Sequence, residues 1–295
     1  MFERILFPTD GSPLSERVVP LVETLARAQD AEVIITRVVE PLPYFGYEAT
    51  GFVSAESYQD MVDIVDEDAR RHLDGLVSRF QAAGVRARGE LLHGTPGIAL
   101  LDYEAAARPD LVIMSTHGRT GLARFALGSI ADRMVREGTT PVLFARPFSL
   151  AESTFEAALV PLDGSPIAEE ALALVTALAG KPLHRVQLLR AIARPEDRPD
   201  AIAYLHGVAQ EMRSVQLKVH MEVEVGEPHE VIEQAAANVD FVILSTHGRG
   251  GLDRLRHGSV ADAATRHLDV PTLLVRSGMQ PAAPRPESVA SATTA

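Results

Sequence analysis

The chain repeats itself, and the repeat limits what it can fold into more than any other feature. ILFPTDGSP at 5–13 returns as ALVPLDGSP at 158–166. PDLVIMSTHGRTGLARFALGSIAD at 109–132 returns as VDFVILSTHGRGGLDRLRHGSVAD at 239–262, and PVLFAR at 141–146 as PTLLVR at 271–276. Three segments in one conserved order mean that a whole domain is duplicated. The second copy is the shorter, and the loss lies between its second strand and Gly226. With 295 residues there is chain enough for two domains that each bury a core. The expected boundaries are 1–148 and 155–277, with the junction near Pro147–Phe155. Residues 278–295, rich in Pro, Ala, Ser and Thr, are expected to form a disordered tail.

Within each copy, strands and helices alternate. In the first, residues 4–8 predict a strand, and Ser12 followed by Pro13 predicts a helix start. Val18, Leu21, Val22 and Leu25 then recur at helical spacing. EVIITRVV at 32–39 predicts the second strand and 56–83 the second helix. VRARGELLHG at 85–94, Pro96–Ala107, LVIMS at 111–115, Ile130–Glu137 and PVLFAR continue the alternation. Continuous apolar strands separated by helices predict an α/β domain, a five-stranded parallel sheet covered on both faces.

Composition narrows the chemistry. A net charge of −12 disfavours nucleic acid and anionic lipid as partners. There is no cysteine, so disulfides, thiolate metal sites and Cys nucleophiles are excluded. Glu3 and Arg4 stand directly before the first strand, a start unlike a signal peptide, which leads to an expected location in the cytoplasm. Lysine occurs only at Lys181 and Lys218. Neither sits in a glycine loop, no Gly-x4-Gly-Lys-(Ser/Thr) exists, and the chain is not a P-loop ATPase.

In an open parallel sheet, ligands bind beyond the carboxyl ends of the strands. Two signals fall at such ends. Pro8-Thr9-Asp10-Gly11-Ser12 follows the first strand and returns as Pro161-Leu162-Asp163-Gly164-Ser165. Ser115-Thr116-His117-Gly118 follows the fourth strand and runs on through Arg119 and Gly121 to Gly128-Ser129 at a helix start. Glycines admit a phosphate close to backbone N–H groups, and a helix start adds unpaired donors and a positive dipole end. Gly118, Gly128 and Ser129 therefore suit a polyphosphate cradle, with Asp10 placed to accept hydrogen bonds from a base or a ribose. A structural reading competes: Ser129 with Asp132, and Ser259 with Asp262, each have the spacing of a helix capping box.

This pattern resembles the nucleotide motif of the universal stress protein family, Gly-x2-Gly-x9-Gly-(Ser/Thr). Here it reads Ser115-x2-Gly118-x9-Gly128-Ser129 and Ser245-x2-Gly248-x9-Gly258-Ser259, with serine for the first glycine in both copies. The resemblance covers nearly all of 1–277 and implies two tandem Rossmann-like domains of the adenine nucleotide α-hydrolase-like kind. It implies that Asp10 and Val38, and in the second copy Asp163 and Ala191, flank the base. Pro8, Thr9, His117, Arg119 and Gly121, with Pro161 and Arg249 in the second copy, complete the nucleotide-binding set. The implied ligand is ATP, with Mg2+ on the phosphates, in a nucleotide-dependent role in the stress response. It also implies that the last strand of each copy pairs with the other within the chain, leaving a homodimer of whole chains open.

Other functions stay open at the level of sequence. A slow ATP hydrolase would need a metal and a group to position water, and no lysine or arginine finger stands near the loops. A scaffold with vestigial nucleotide sites is the third reading. The first copy is expected to bind more tightly, because Val38 and the aromatic segment 44–52 supply apolar cover that Ala191 and the shortened second copy do not.

Overall fold

A computed structural model describes residues 2–41, 55–116, 128–146, 154–212, 216–246, 264 and 267–278. The first half contains β1 (Arg4–Pro8), α1 (Pro13–Glu16), α2 (Val19–Gln29), β2 (Glu32–Val39), α3 (Ala55–Ala82), β3 (Ala87–His93), α4 (Pro96–Ala107), β4 (Leu111–Ser115), α5 (Ser129–Glu137) and β5 (Val142–Ala145). The second contains β6 (Ala157–Pro161), α6 (Pro166–Glu169), α7 (Ala171–Leu178), β7 (Arg185–Ile192), α8 (Arg198–Glu211), β8 (Lys218–Val225), α9 (Pro228–Ala236), β9 (Phe241–Thr246) and β10 (Thr272–Arg276). The sequence loss in the second copy falls partly on α8, which has 14 residues where α3 has 28, and partly on the connection that precedes it.

All ten strands form one sheet in the order β3-β2-β1-β4-β5-β10-β9-β6-β7-β8. Within each half every pair is parallel. Only the central pair, β5 with β10, is antiparallel. Its register sets Leu143 opposite Leu273, Phe144 opposite Thr272 and Val142 opposite Leu274. Leu143 and Leu273 are equivalent residues of the repeat, so a local twofold axis passes between them. An apolar edge strand exposed to solvent is an association hazard. The duplication removes it by pairing the two edges with each other.

Alternation along the strands sends neighbouring side chains to opposite faces. Ile5, Phe7, Val33, Ile35, Ile113 and Leu143 share one core with Leu25 and Phe80, and this core continues through Leu273 into Val160, Leu174 and Leu205 of the second half. Leu6, Ile34, Val112 and Phe144 share the other with Leu100 and Met134, continuing through Leu274 into Leu159 and Ile232. Both cores cross the join. Polar contacts reinforce it: Arg276 donates through Nη1 to the Arg136 carbonyl at 2.9 Å, and Arg146 lies 3.7 Å from the Asp269 carboxylate. Gln29, buried near the start of the sheet, donates its side-chain amide to the Lys181 carbonyl.

The helices follow the local chemistry with two departures. The segment after Ser12 is two helices, because the chain turns at Arg17–Val18 before Pro20 opens α2. The second departure lies at α5. Gly128, not Ser129, occupies the N-cap position, Ser129 is already helical, and no side chain caps the helix. The capping box expected of Ser129 and Asp132 therefore does not form, and an Asp132 carboxylate oxygen accepts from Arg136 Nε at 2.9 Å. The reason is a close approach: Gly128 N–H donates to the Thr116 carbonyl at 3.0 Å, and a Cβ at Gly128 would lie 3.1 Å from that oxygen.

Candidate functional site

The carboxyl ends of β1, β2 and β4 and the starts of α4 and α5 lie along one edge of the first half. β1 is held to β2 one residue past its end, through Thr9 N–H to the Thr36 carbonyl at 2.9 Å. Asp10 Oδ1 accepts from Ser12 N–H at 2.9 Å, and Gly11 takes φ +75°, a left-handed turn that favours glycine. Ser12 Oγ caps α1 by accepting from Ser15 N–H at 3.2 Å. Thr9 Oγ1 and Ser15 Oγ share a hydrogen bond of 2.9 Å, and Gly11 N–H donates to Thr9 Oγ1 at 3.1 Å. The Asp10 turn is thereby fixed by a small buried hydroxyl network.

The same turn recurs in the second half with different support. Asp163 Oδ1 accepts from Ser165 N–H at 2.8 Å, Gly164 takes φ +82°, and Ser165 caps α6 through Ala168 N–H at 3.1 Å. Leu162 and Ala168 replace Thr9 and Ser15, so no hydroxyl network is available. Arg190 lies against Gly164, as its repeat equivalent Arg37 lies against Gly11, and its guanidinium is 5.0 Å from the centre of the Tyr204 ring. Partial burial opposes ionisation of Asp163, but the Ser165 hydrogen bonds and the Arg190 charge together hold its carboxyl below the usual range. Pro161 ends β6 immediately before this turn.

Val38, near the end of β2, is half-buried against the core that α4 and α5 cover, and Ala191 holds the matching place in the second half. Ser115 is buried at the end of β4, and Thr116 N–H extends the pairing to the Ala145 carbonyl at 3.1 Å. The Gly128–Thr116 hydrogen bond then brings the start of α5 directly onto the end of β4. Ser129 opens α5, where the first N–H groups have no acceptor within the helix. In the second half the Ser245 Oγ is buried and has no hydrogen-bond partner among the described residues. His117, Gly118, Arg119, Gly121, Gly248, Arg249, Gly258 and Ser259 lie outside the described residues, as do the segment 44–52 and residues 279–295 of the tail.

Beside these elements is a cavity of about 530 Å³. Its wall includes Glu40 beyond β2, Thr95 and Gly97 at the start of α4, and Ser129, Arg133 and Arg136 of α5. That volume falls within the ~300–1,000 Å³ of small-molecule sites. Of this lining, sequence reasoning selected Ser129 alone. Arg133 carried a usable signal, since it lies four residues from Ser129 and so on the same helix face. Glu40, Thr95 and Gly97 carried none, because only the fold brings β2 and α4 beside α5. Among the described residues no group of three or more His, Cys, Asp or Glu could hold a metal ion, and no helix is long and apolar enough to cross a membrane.

Comparison with known proteins agrees with this architecture. A universal stress protein of Methanocaldococcus jannaschii is 30% identical over 146 residues, covering 50% of this chain and 83% of that protein. A universal stress protein of Mycobacterium tuberculosis is 27% identical over 205 residues, covering 64% of this chain and 68% of the relative. The crystal structure of a universal stress protein from Archaeoglobus fulgidus superposes with a TM-score of 0.74 over 93% of this chain and 98% of that one, at 20% identity. The family model for universal stress proteins matches twice, at residues 1–146 and 154–276. The chain belongs to the universal stress protein family, in a tandem two-domain form.

Proposed function

We propose that this chain binds ATP and uses nucleotide occupancy to regulate partners in a stress response, with little or no turnover. The observation that carries the reading is the cavity at the carboxyl edge, walled by the Ser129 end of α5 and by the chain leaving β2. The glycine loop that closes the motif runs between Thr116 and Gly128, whose backbones are hydrogen-bonded. In this reading Gly118 and Ser129 take the phosphates through backbone N–H groups, Gly128 lets them approach without a Cβ while its own N–H stays on the Thr116 carbonyl, and Asp10 and Val38 flank the base. Asp163, Ala191, Ser245, Gly248, Gly258 and Ser259 do the same in the second half, and the domains run from 1 to 148 and from 155 to 277. Mg2+ would offset phosphate charge, with the phosphates as its principal oxygen ligands.

Binding is favoured over catalysis in this reading because the described edge offers carboxylates and arginines, while the two lysines of the chain, Lys181 and Lys218, lie outside both glycine loops. The test is calorimetry of the full chain with ATP, ADP and AMP in the presence of Mg2+, run beside a phosphate-release assay. Binding without release is expected. Absence of heat with all three nucleotides would refute the proposal, and multiple turnovers would convert it to an ATP hydrolase. Mass spectrometry of any nucleotide retained through gentle purification identifies the ligand independently.

A further inference from the structure

We propose that Arg133 is a specificity residue of the first domain, receiving the distal phosphates of the nucleotide and so separating polyphosphate from monophosphate ligands. The inference rests on the nucleotide reading above and extends it to the choice among adenine nucleotides.

Arg133 and Ser129 both line the cavity, one helical turn apart on α5. A phosphate chain that starts at the helix N-terminus therefore meets the Arg133 side chain next. The side chain is held toward α4 by an unusual allowance. Gly97 stands in the first turn of α4, and a Cβ there would lie 2.8 Å from Arg133 Cδ. Any other residue at 97 would push the arginine aside. Glycine in a helix costs up to about 1 kcal/mol relative to alanine, and at 97 it leaves open the space that Arg133 Cδ occupies.

The charge on Arg133 is also available. Its ion pair with Glu137 spans 3.6 Å, with the two side chains 40% and 43% exposed. Such a loose i,i+4 surface pair contributes little and exchanges readily for a phosphate, whose bidentate bonds to guanidinium are stronger. Arg136 is more firmly engaged, because its Nε lies 2.9 Å from Asp132 Oδ2. The remaining wall is mixed: Thr95 offers a hydroxyl that makes no cap hydrogen bond to α4, and the carboxylates of Glu40, Asp132 and Glu137 line the same cavity, which leaves the arginines as its anion-binding groups.

The second copy differs at these positions. The repeat aligns Ala263 with Arg133, His229 with Gly97 and Glu227 with Thr95. Its sequence has no cation at 263, a histidine in place of the glycine and a glutamate at the N-cap of α9. The two halves therefore differ in ligand class: the first discriminates by phosphate count and the second does not.

The test is titration of the full chain with ATP, ADP and AMP, comparing wild type with Arg133→Gln, Arg133→Lys and Gly97→Ala. Arg133→Gln should reduce ATP affinity by about tenfold, the scale of one lost charge-assisted contact, and leave AMP affinity unchanged. Arg133→Lys should restore part of the preference. Gly97→Ala should raise or preserve the melting temperature while lowering the ATP-to-AMP ratio, because it stabilises α4 and displaces the arginine. An ATP-to-AMP ratio unaltered by Arg133→Gln would overturn the proposal and leave nucleotide binding standing. Equal losses for ATP and AMP would also overturn it, by assigning Arg133 a role common to all the ligands. Wild type that binds none of the three would overturn both.

Discussion

The join between the halves makes the most direct prediction about stability. Leu143 and Leu273 are 1% and 2% exposed and face each other across the local twofold axis. Truncating either to alanine removes the same contact and opens the same void. Strands on both sides pin each backbone, β4 beside β5 and β9 beside β10, which limits collapse into the space. A Leu→Ala change in such a core costs about 2–5 kcal/mol, and we expect ~3 kcal/mol for each. The double variant should fall short of additivity by ~1 kcal/mol, because the Leu–Leu contact can be lost only once. Both cores run through the join, so each single change should destabilise the whole chain in one transition. The chain has no tryptophan, so urea unfolding followed by far-UV circular dichroism is the appropriate measurement. Strict additivity would refute the shared contact. If Leu143→Ala lowered the midpoint of one half and left a second transition unmoved, the continuous core would be refuted instead.

Three further outcomes follow from particular residues. Gly128→Leu should weaken nucleotide binding by more than about tenfold, ~1.4 kcal/mol, whereas Gly258→Leu should weaken it less; equal losses would contradict the ranking of the two domains. Glu104 is buried, and its Oε1 accepts from Thr139 N–H at 2.7 Å and Thr140 N–H at 2.8 Å, so Glu104→Ala should cost about 1–3 kcal/mol by leaving the Thr140 donor unpaired. Thermal melts reporting no change would show that water replaces the carboxylate. A fragment of residues 1–150 should self-associate through the freed β5 edge in sedimentation experiments, and Leu143→Pro should abolish the association; a stable monomer at high concentration would show that the edge needs no partner.

Much of this fold was legible because its strands are short apolar runs ended by Pro, Gly or Asp. β1, β2 and β4 match the residues their hydrophobicity marks out, and α4 runs from Pro96 to Ala107 as its proline start predicts. The pairing of the two last strands was implied by the family resemblance, and the structure adds its antiparallel direction and register. What the sequence hid depends on contacts between distant residues. Ser129 looks like a cap until Gly128 is seen against the Thr116 carbonyl. Arg190 is unremarkable in a strand, but the fold lays it over Gly164 and Tyr204. The cavity combines β2, α4 and α5, and no local pattern links Glu40 or Gly97 to Ser129.

The same geometry connects the candidate site to the join. α5 starts at Gly128, where the phosphates are proposed to bind, and its Arg136 carbonyl accepts from Arg276, the last residue of β10. Arg136 lies eight residues beyond Gly128, the N-cap of α5, so the two are about 12 Å apart at 1.5 Å per residue. A rigid helix of that length cannot shift at one end without moving the other. Arg146, the counterpart of Arg276, reaches back to Asp269 from the first half. A displacement of the start of α5 would therefore load a contact that belongs to the second half. Two separate copies would need to dimerise first to make that contact.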